Sequence, residues 1–271
     1  MFQLKASTKL FLLTAFFCSH LFADDGTQST TLTELEQFKK ARICYSDSVA
    51  AELWENGLNC AEKSLDLGRK LFSSGHKNIA ALTHNYGLML AKNKAYLKAA
   101  EALETTYSLY KKHYGKKSEK VGWLLIDLAD AQLIHNAEKA IKNYQKGVNI
   151  LSLQESFDPL IKSEIYLNAS VHLSGSGQSS SYTLEDALAM SYFAYETYLK
   201  VYGESHHQTA LAAFSIGKIS YLSRDYVIAE KFLEKSLVNQ NIGKYAHGIL
   251  VEIHTKNGRT DLAQNHQRWE C

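Results

Sequence analysis

Apolar side chains recur every three or four residues along most of this chain, which is the spacing of one face of an α-helix. In the clearest stretch, 78–91, Leu82, Tyr86 and Leu90 fall on one stripe. Short polar or glycine-containing segments interrupt the pattern, and we expect them to be turns. The pattern predicts helices at about 31–52, 58–73, 78–91, 96–114, 121–134, 138–151, 209–222, 226–237, 243–255 and 261–269, with two more beginning after Pro159 and at a cap formed by Thr183.

A small residue stands early in the second helix of each predicted pair. The six positions are Ala61, Ala99, Ala140, Ala187, Ala229 and Ala263. They are spaced by 38, 41, 47, 42 and 34 residues, which is typical of helical repeats. A small side chain at a helix crossing lets two backbones approach closely. This would also explain Gly87 and Gly217 in the first helices, since glycine weakens a helix by about 1 kcal/mol relative to alanine. We therefore predict an all-α chain of about six helix-turn-helix repeats.

Several segments resemble the tetratricopeptide repeat (TPR) in its longer form of about 42 residues, which is found in kinesin light chain. The resemblance is closest at Tyr202–Ala210, Phe214–Gly217 and Asp225–Glu230, and Tyr114-Gly115 repeats the same helix ending. The resemblance covers about residues 35–270. Some exported bacterial repeat arrays are also similar to this chain. The resemblance implies a right-handed α–α superhelical solenoid of TPR-like repeats whose common role is to bind peptide segments of other proteins.

The resemblance also implies where a partner would bind. In a stacked array the first helices line the concave face, and asparagines there hold the main chain of an extended ligand in the resembling family. Polar residues stand just before the crossing residues of the first helices here, and a second set lies one turn further. The predicted partner-binding residues in the concave groove are Asn85, Leu88, Asp127, Asp130, Asn168, Val171, Ser215 and Lys218. The alternative is a solvated inner face without a partner.

The first residues have the order of a secretory signal. Lys5 and Lys9 precede an apolar run at 10–17, and Ala23 stands where cleavage is expected. A membrane span needs roughly 20 apolar residues, about twice the length of this run, so we expect cleavage rather than anchoring. The predicted organisation is a signal peptide at 1–23, a short linker at 24–31 and the solenoid at 32–271. The predicted location is the periplasm of a Gram-negative bacterium, with secretion as the alternative.

The charge balance argues against two classes of partner. Cleavage after residue 23 would remove two lysines and no acids, which leaves 30 minus 2, or 28, basic residues against 28 acidic ones. A protein that binds nucleic acid or an anionic membrane through its bulk charge would show an excess of basic residues. We therefore expect a protein or peptide partner and no nucleic acid.

Three cysteines follow the predicted signal: Cys44, Cys60 and Cys271. If the first hairpin turns at 56–57, Cys44 lies about 12 residues before the turn and Cys60 about 4 after it. Their levels along the hairpin would then differ by roughly 12 Å, which is too far for a disulfide. We therefore predict three small apolar core residues, with an intrachain bridge as the alternative.

No catalytic, cofactor or metal motif is present in the sequence. The segment 174–181 contains Gly175 and Gly177 but lacks the lysine of a phosphate loop, so we interpret it as an insertion. His247 and His254 share a helix face, yet no further ligand stands three or four residues away to complete a metal site. We predict no enzyme activity, no cofactor and no metal.

These observations predict a non-enzymatic interaction scaffold or adaptor that holds an extended segment of another protein in its groove. The alternative is a structural subunit or assembly factor of an envelope complex, which would bind folded partners through its outer face. The two differ in what they capture, because only a groove binder would retain short peptides.

Overall fold

The computed structural model of this protein describes residues 29–154, 157–175 and 181–268, and the side chains in these ranges except those of 29–32, 181 and 182. Every regular element within these ranges is an α-helix, as the spacing of apolar residues predicts. The helices are α1 (Ser29–Ala50), α2 (Trp54–Leu71), α3 (Lys77–Lys92), α4 (Tyr96–Tyr114), α5 (Glu119–Gln132), α6 (Ala137–Leu151), α7 (Pro159–Gly175), α8 (Ser181–Tyr202), α9 (His207–Leu222), α10 (Tyr226–Ser236), α11 (Gln240–Lys256) and α12 (Thr260–Gln267).

Consecutive helices pack in pairs, from α1 with α2 to α11 with α12. This confirms the predicted all-α fold class and its helix-turn-helix repeats. The chain divides into two compact units, Met1–Lys116 and Lys117–Cys271. The first unit contains α1–α4 and the second contains α5–α12.

Four of the hairpins share a turn of three residues whose central residue is left-handed. Between α3 and α4 that residue is Lys94, with φ of 64°. The next N–H, of Ala95, donates to the carbonyl oxygen of Leu90 at 2.9 Å, which closes the helix end as in a Schellman motif. The equivalent residues in the other three turns are Glu52, Arg224 and Gly258. The repeated connection gives these four repeats the same short, antiparallel link.

The six predicted crossing alanines are all buried, none of them more than 7 % exposed. Gly87 and Gly217, in the first helices of their pairs, have equally little space for a side chain. A Cβ atom added at Gly87 would lie 2.9 Å from Leu103, and one at Gly217 would lie 2.7 Å from Leu233. Both distances are shorter than the roughly 3.5–4.0 Å at which carbon atoms pack. The close crossing of the two helices, which the sequence predicts, is therefore confirmed.

Each unit has its own hydrophobic core. In the first unit, Phe38 of α1, Leu65 of α2 and Leu82 of α3 meet in one cluster. In the second, a larger cluster continues from α5 to α9 and includes Tyr144 and Ile219. Burying such a side chain contributes about 1.5–3 kcal/mol. The stacked hairpins are thus held by a layer of apolar side chains within each unit.

Cys44 and Cys60 form a disulfide, with their Cα atoms 5.8 Å apart, so the prediction that both are unpaired core residues is wrong. The reason is the position of the turn. Since α1 ends at Ala50 and α2 begins at Trp54, each cysteine is six residues from the turn end of its helix. In an antiparallel pair this places both at the same level.

Several helix boundaries also differ from the predicted ones: α2 begins at Trp54 and not near residue 58, and α11 begins at Gln240 and not near residue 243. The first helix begins at Ser29, three residues before the predicted start of the solenoid, and α8 begins at Ser181. Thr183 therefore lies inside α8, where it is buried, and does not cap the helix. The predicted signal peptide at 1–23, the linker residues 24–28, the insertion residues 176–180 and Cys271 lie outside the described residues.

Candidate functional site

Helix α9 is covered by its neighbours on every side but one. It packs against α7, α8, α10 and α11, and beyond its first turn all of its residues are buried except four. These are Phe214, Lys218, Tyr221 and Leu222. Their spacing of three and four residues places them on one stripe of the helix. A partner that reaches α9 must contact this stripe.

The neighbouring helix α11 extends the stripe into a wider surface. The ring of Tyr245 lies beside that of Phe214, with 6.5 Å between centroids. The hydroxyl group of Tyr221 donates to Glu252 and accepts a hydrogen bond of 2.9 Å from the ammonium group of Lys256. We call this group the α9–α11 surface; it consists of Phe214, Lys218, Tyr221, Tyr245, Glu252 and Lys256.

Lys218 is the charged group at the centre of the α9 stripe. Its side chain is half-buried, and burial lowers the pKa of its ammonium group. No carboxylate in the described part of the chain lies within 4.0 Å of this ammonium. Glu252, by contrast, is held by Tyr221. A partly desolvated cation without a counter-ion is unfavourable, so an anionic group on a ligand would be stabilising here.

The two predicted site residues of the first unit lie on α3 and differ in exposure. Asn85 is half-buried and reaches the surface. Leu88 is 6 % exposed and packs with Ala61 and Met89. Leu88 is therefore part of the hairpin core and not of a binding surface, which corrects its predicted role.

Asp127 and Asp130 lie three residues apart on α5, on the same face of the helix. Asp127 is half-buried and Asp130 is exposed. Asp130 accepts a hydrogen bond from the hydroxyl group of Tyr144, whose ring is buried beneath it. Burial raises the pKa of the Tyr144 hydroxyl, and the charge of Asp130 raises it further. Asp130 therefore provides the hydrogen-bond acceptor for the buried Tyr144 hydroxyl group, in addition to any contact with a partner.

Ser215 lies in the interior of the second unit and is 1 % exposed. Its hydroxyl oxygen is 3.1 Å from that of Ser170 on α7 and 3.0 Å from that of Ser191 on α8. The three hydroxyl groups satisfy one another at the junction of three helices. Ser215 is therefore unavailable to a partner, and the predicted row of polar groups is interrupted at α9.

Asn168 and Val171 on α7 are both half-buried. Asn168 immediately precedes Ala169, whereas Asn85 and Asp127 stand two residues before their crossing residues. One residue rotates a side chain by about 100° around a helix. The residue of α7 in register with Asn85 is Leu167, which is buried, so Asn168 faces a different direction from the other polar residues.

The arrangement is suited to non-covalent contact. Among the described residues, no group of three histidine, cysteine or acidic side chains is placed to hold a metal ion. Within the same ranges, none of the helices combines the length and the apolar character that a membrane span needs.

Sequence reasoning found Lys218 but missed Phe214, Tyr221 and Tyr245. The spacing of the first two from Lys218 is the signal that could have found them.

Comparison with known proteins identifies the repeat. The model of the tetratricopeptide repeat family matches residues 78–152, which confirms the resemblance seen in the sequence. A similar solved structure is the crystal structure of a Podosopora anserina putative kinesin light chain, whose TPR-like repeats are nearly identical to one another. Its sequence is 14 % identical to this chain and the TM-score is 0.58; the match covers 80 % of this chain and 98 % of that one. A crystal structure of a variant of the same protein is also 14 % identical in sequence, with a TM-score of 0.58. That match covers 86 % of this chain and 100 % of the other one. No curated protein matches significantly.

Proposed function

We propose, from the premise that this chain is built on tetratricopeptide repeats, that it binds an extended segment of a partner protein along its first helices. Repeats of this family mediate protein–protein interaction and form a non-catalytic scaffold. The single observation that carries the proposal is the α9–α11 surface. It presents the only accessible stripe of α9 beyond its first turn, and that stripe combines aromatic rings with a half-buried cation.

Each group of this surface has a distinct use in holding a peptide. The rings of Phe214 and Tyr245 offer apolar area to a side chain of the segment, and aromatic residues are the commonest anchors of protein interfaces. Lys218 provides a charge for a carboxylate. The phenol of Tyr221 is already held by Glu252 and Lys256, so its position is fixed before a ligand arrives and less entropy is lost on binding.

The half-buried polar residues Asn85, Asp127 and Asn168 are proposed as additional contacts on their own helices. A side-chain amide can donate to a carbonyl and accept from an N–H of an extended main chain. Such contacts do not depend on the ligand's side chains. They would add affinity without restricting sequence, while the α9–α11 surface provides the selectivity.

The experiment uses a display library of peptides of about 12 residues, a length that an extended segment can present. Peptides selected on the purified protein are measured against the double variant Phe214→Ala, Lys218→Ala. We expect their affinity to fall at least about tenfold, as for loss of anchor residues. The matched control is Lys231→Ala, an exposed lysine on the second helix α10, which should bind as the wild type does. Equal binding by all three proteins would contradict the proposal.

We propose the periplasm as the location. The disulfide between Cys44 and Cys60 supports this, because stable disulfides belong to oxidising compartments. The proposal is tested by expressing the full chain in a Gram-negative host and comparing periplasmic, cytoplasmic and medium fractions. We expect a shortened, oxidised protein in the periplasm. A full-length, reduced protein in the cytoplasm would contradict this location, and an oxidised protein in the medium would indicate secretion.

A second candidate function is binding of a folded partner through the second helices. It is favoured by Leu199 and Val201 near the end of α8, which are 38 % and 52 % exposed. Such a protein would select no short peptides from the library. It would lose its partner when both side chains are changed to serine and keep it in the Phe214→Ala, Lys218→Ala variant.

A further inference from the structure

Three histidines meet where α12 packs on α11. His247 and His254 lie seven residues apart on α11, and His266 lies on α12. The Nδ1 atoms of His247 and His266 are 2.8 Å apart. The rings of His254 and His266 stack at 14° with 5.2 Å between centroids. We call these residues the histidine cluster, and it joins the two helices of the last hairpin.

The contact between His247 and His266 requires a neutral ring nitrogen. A hydrogen bond between two Nδ1 atoms needs one N–H that donates and one lone pair that accepts. When both atoms are protonated, neither can accept, and two positive rings face each other. The bond is therefore lost when the pair takes up a second proton.

His254 is the most enclosed member of the cluster. Its side chain is 1 % exposed, and its Nδ1 atom has no hydrogen-bond partner. Glu230 of α10 lies 4.0 Å from this atom, but its carboxylate already accepts two hydrogen bonds, of 2.8 and 2.6 Å, from Arg259. Protonation of His254 would thus place a further charge in the interior, beside a carboxylate that is already paired with Arg259.

The charged surroundings come from each packed element. The titratable groups that act on the cluster are Glu230 and Glu234 of α10, Arg259 in the turn, and the three histidines themselves. Burial lowers the pKa of His254. Burial also lowers the pKa of His266, and the neighbouring His247 and His254 lower it further. The carboxylates of Glu230 and Glu234 act in the opposite direction, but burial dominates and the pKa values of both His254 and His266 are lowered, so the packed state opposes protonation.

Among the described residues, few other contacts hold α12 in place. It is eight residues long, and Ala263 is its only buried residue. Arg259 ties the preceding turn to Glu230. A short helix with few buried contacts opens at low free-energy cost, so a small change in the cluster is enough to alter its docking.

We propose that the histidine cluster makes the docking of α12 on α11 sensitive to acid: the helix is docked while the imidazoles are neutral and is released when they are protonated. The sign follows from linkage, because lowered histidine pKa values mean that the released state binds more protons. Docking is complete above about pH 6.5, the ordinary histidine value, and weakens as pH falls below it. The Glu230–Arg259 pair persists through this range, since Arg259 lowers the pKa of Glu230.

The test is hydrogen exchange followed by mass spectrometry on the full chain at pH 7.4 and 5.4, with exchange times corrected for the intrinsic effect of pH. We expect amide protection in α12 to fall at least about threefold at the lower pH, as for a local opening. Protection in α5 and α6 serves as the internal reference and should stay constant. Constant protection in α12, or an equal loss in α5 and α6, would overturn the proposal.

The variants separate the cluster from general acid effects. In His266→Gln and, independently, in His247→Gln, α12 should be less protected at pH 7.4 and its dependence on pH should shrink. His135→Gln changes an exposed histidine in the α5–α6 turn and should keep the wild-type response. A wild-type response in both cluster variants would overturn the proposal. These samples contain a chelator. In a parallel series without chelator, the appearance of protection in α12 only when zinc is added would also overturn the proposal, because a metal would then hold the helix.

Discussion

Cys44 and Cys60 stand at the same level of the first hairpin, each six residues from the turn, and are joined by a disulfide. The bond connects α1 to α2 in the first unit, so α1 cannot separate from the unit without carrying α2 with it. The stability of this hairpin should therefore depend on the redox state of the medium.

The first prediction concerns this bond. Because the cysteines are 16 residues apart, closing the loop should stabilise the protein by about 3 kcal/mol. We expect the double variant Cys44→Ala, Cys60→Ala to unfold at lower urea concentration, with the loss confined to α1 and α2 in hydrogen exchange. Reductant should destabilise the wild type and leave the variant unchanged. Equal urea midpoints for the two proteins would show that the bond contributes nothing.

The second prediction uses two helical glycines with different surroundings. A Cβ atom at Gly217 would lie 2.7 Å from Leu233 Cγ and 3.0 Å from Leu233 N, so Gly217→Ala should cost about 1–3 kcal/mol through overpacking. At Gly243 the nearest atoms are 3.7 Å away, so Gly243→Ala should stabilise by about 0.5–1 kcal/mol. Thermal melts of both variants give the comparison, and a gain in stability for Gly217→Ala would refute the close crossing.

The third prediction concerns a histidine that caps a helix. His206 stacks on Tyr202 with 4.2 Å between centroids, and its Nδ1 atom accepts a hydrogen bond of 3.2 Å from the N–H of Gln208. His76 caps α3 in the same way, and Ser118 does so for α5. We expect His206→Ala to lose about 1 kcal/mol of unfolding free energy and His206→Ser to lose less. The cap interpretation fails if urea titration gives both variants the same loss.

The fourth prediction addresses the polar residues found from the sequence. The variants Asn85→Ala, in the first unit, and Asn168→Ala, in the second, should each weaken capture of the peptides that bind their own unit while leaving the circular dichroism spectrum unchanged, because both side chains are partly exposed. The effect should be similar for peptides of different sequence, since the amides would contact the main chain. Unchanged affinity for every peptide would remove these residues from the site.

Much of the fold follows from the sequence because the repeats obey local rules. Small residues at helix crossings and apolar residues at helical spacing are properties of single segments, so Ala99 and Gly217 identify their hairpins without knowledge of the whole. The first turn was misplaced because Asn56-Gly57 has the composition of a turn. Gly57 lies inside α2 instead, where an added Cβ atom would be 2.9 Å from Met89.

The site was harder to predict because exposure depends on contacts between helices distant in sequence. Ser215 is polar, yet it lies in the interior, because its hydroxyl group is hydrogen-bonded to those of Ser170 and Ser191. Tyr245 joins the surface only because α11 packs beside α9. No spacing within one helix reveals such pairings, so residues such as Lys218 could be found and their neighbours on other helices could not.

The most direct test of partner binding is site-specific photo-crosslinking in living cells. A photoreactive amino acid replaces Leu222, the exposed residue at the end of the α9 stripe, or Lys231, on the exposed side of α10, so that the groups of the α9–α11 surface are kept. The account predicts a crosslinked product from position 222 whose partner peptide, identified by mass spectrometry, comes from an extended segment, and none from position 231. A product from position 231 alone would contradict the account.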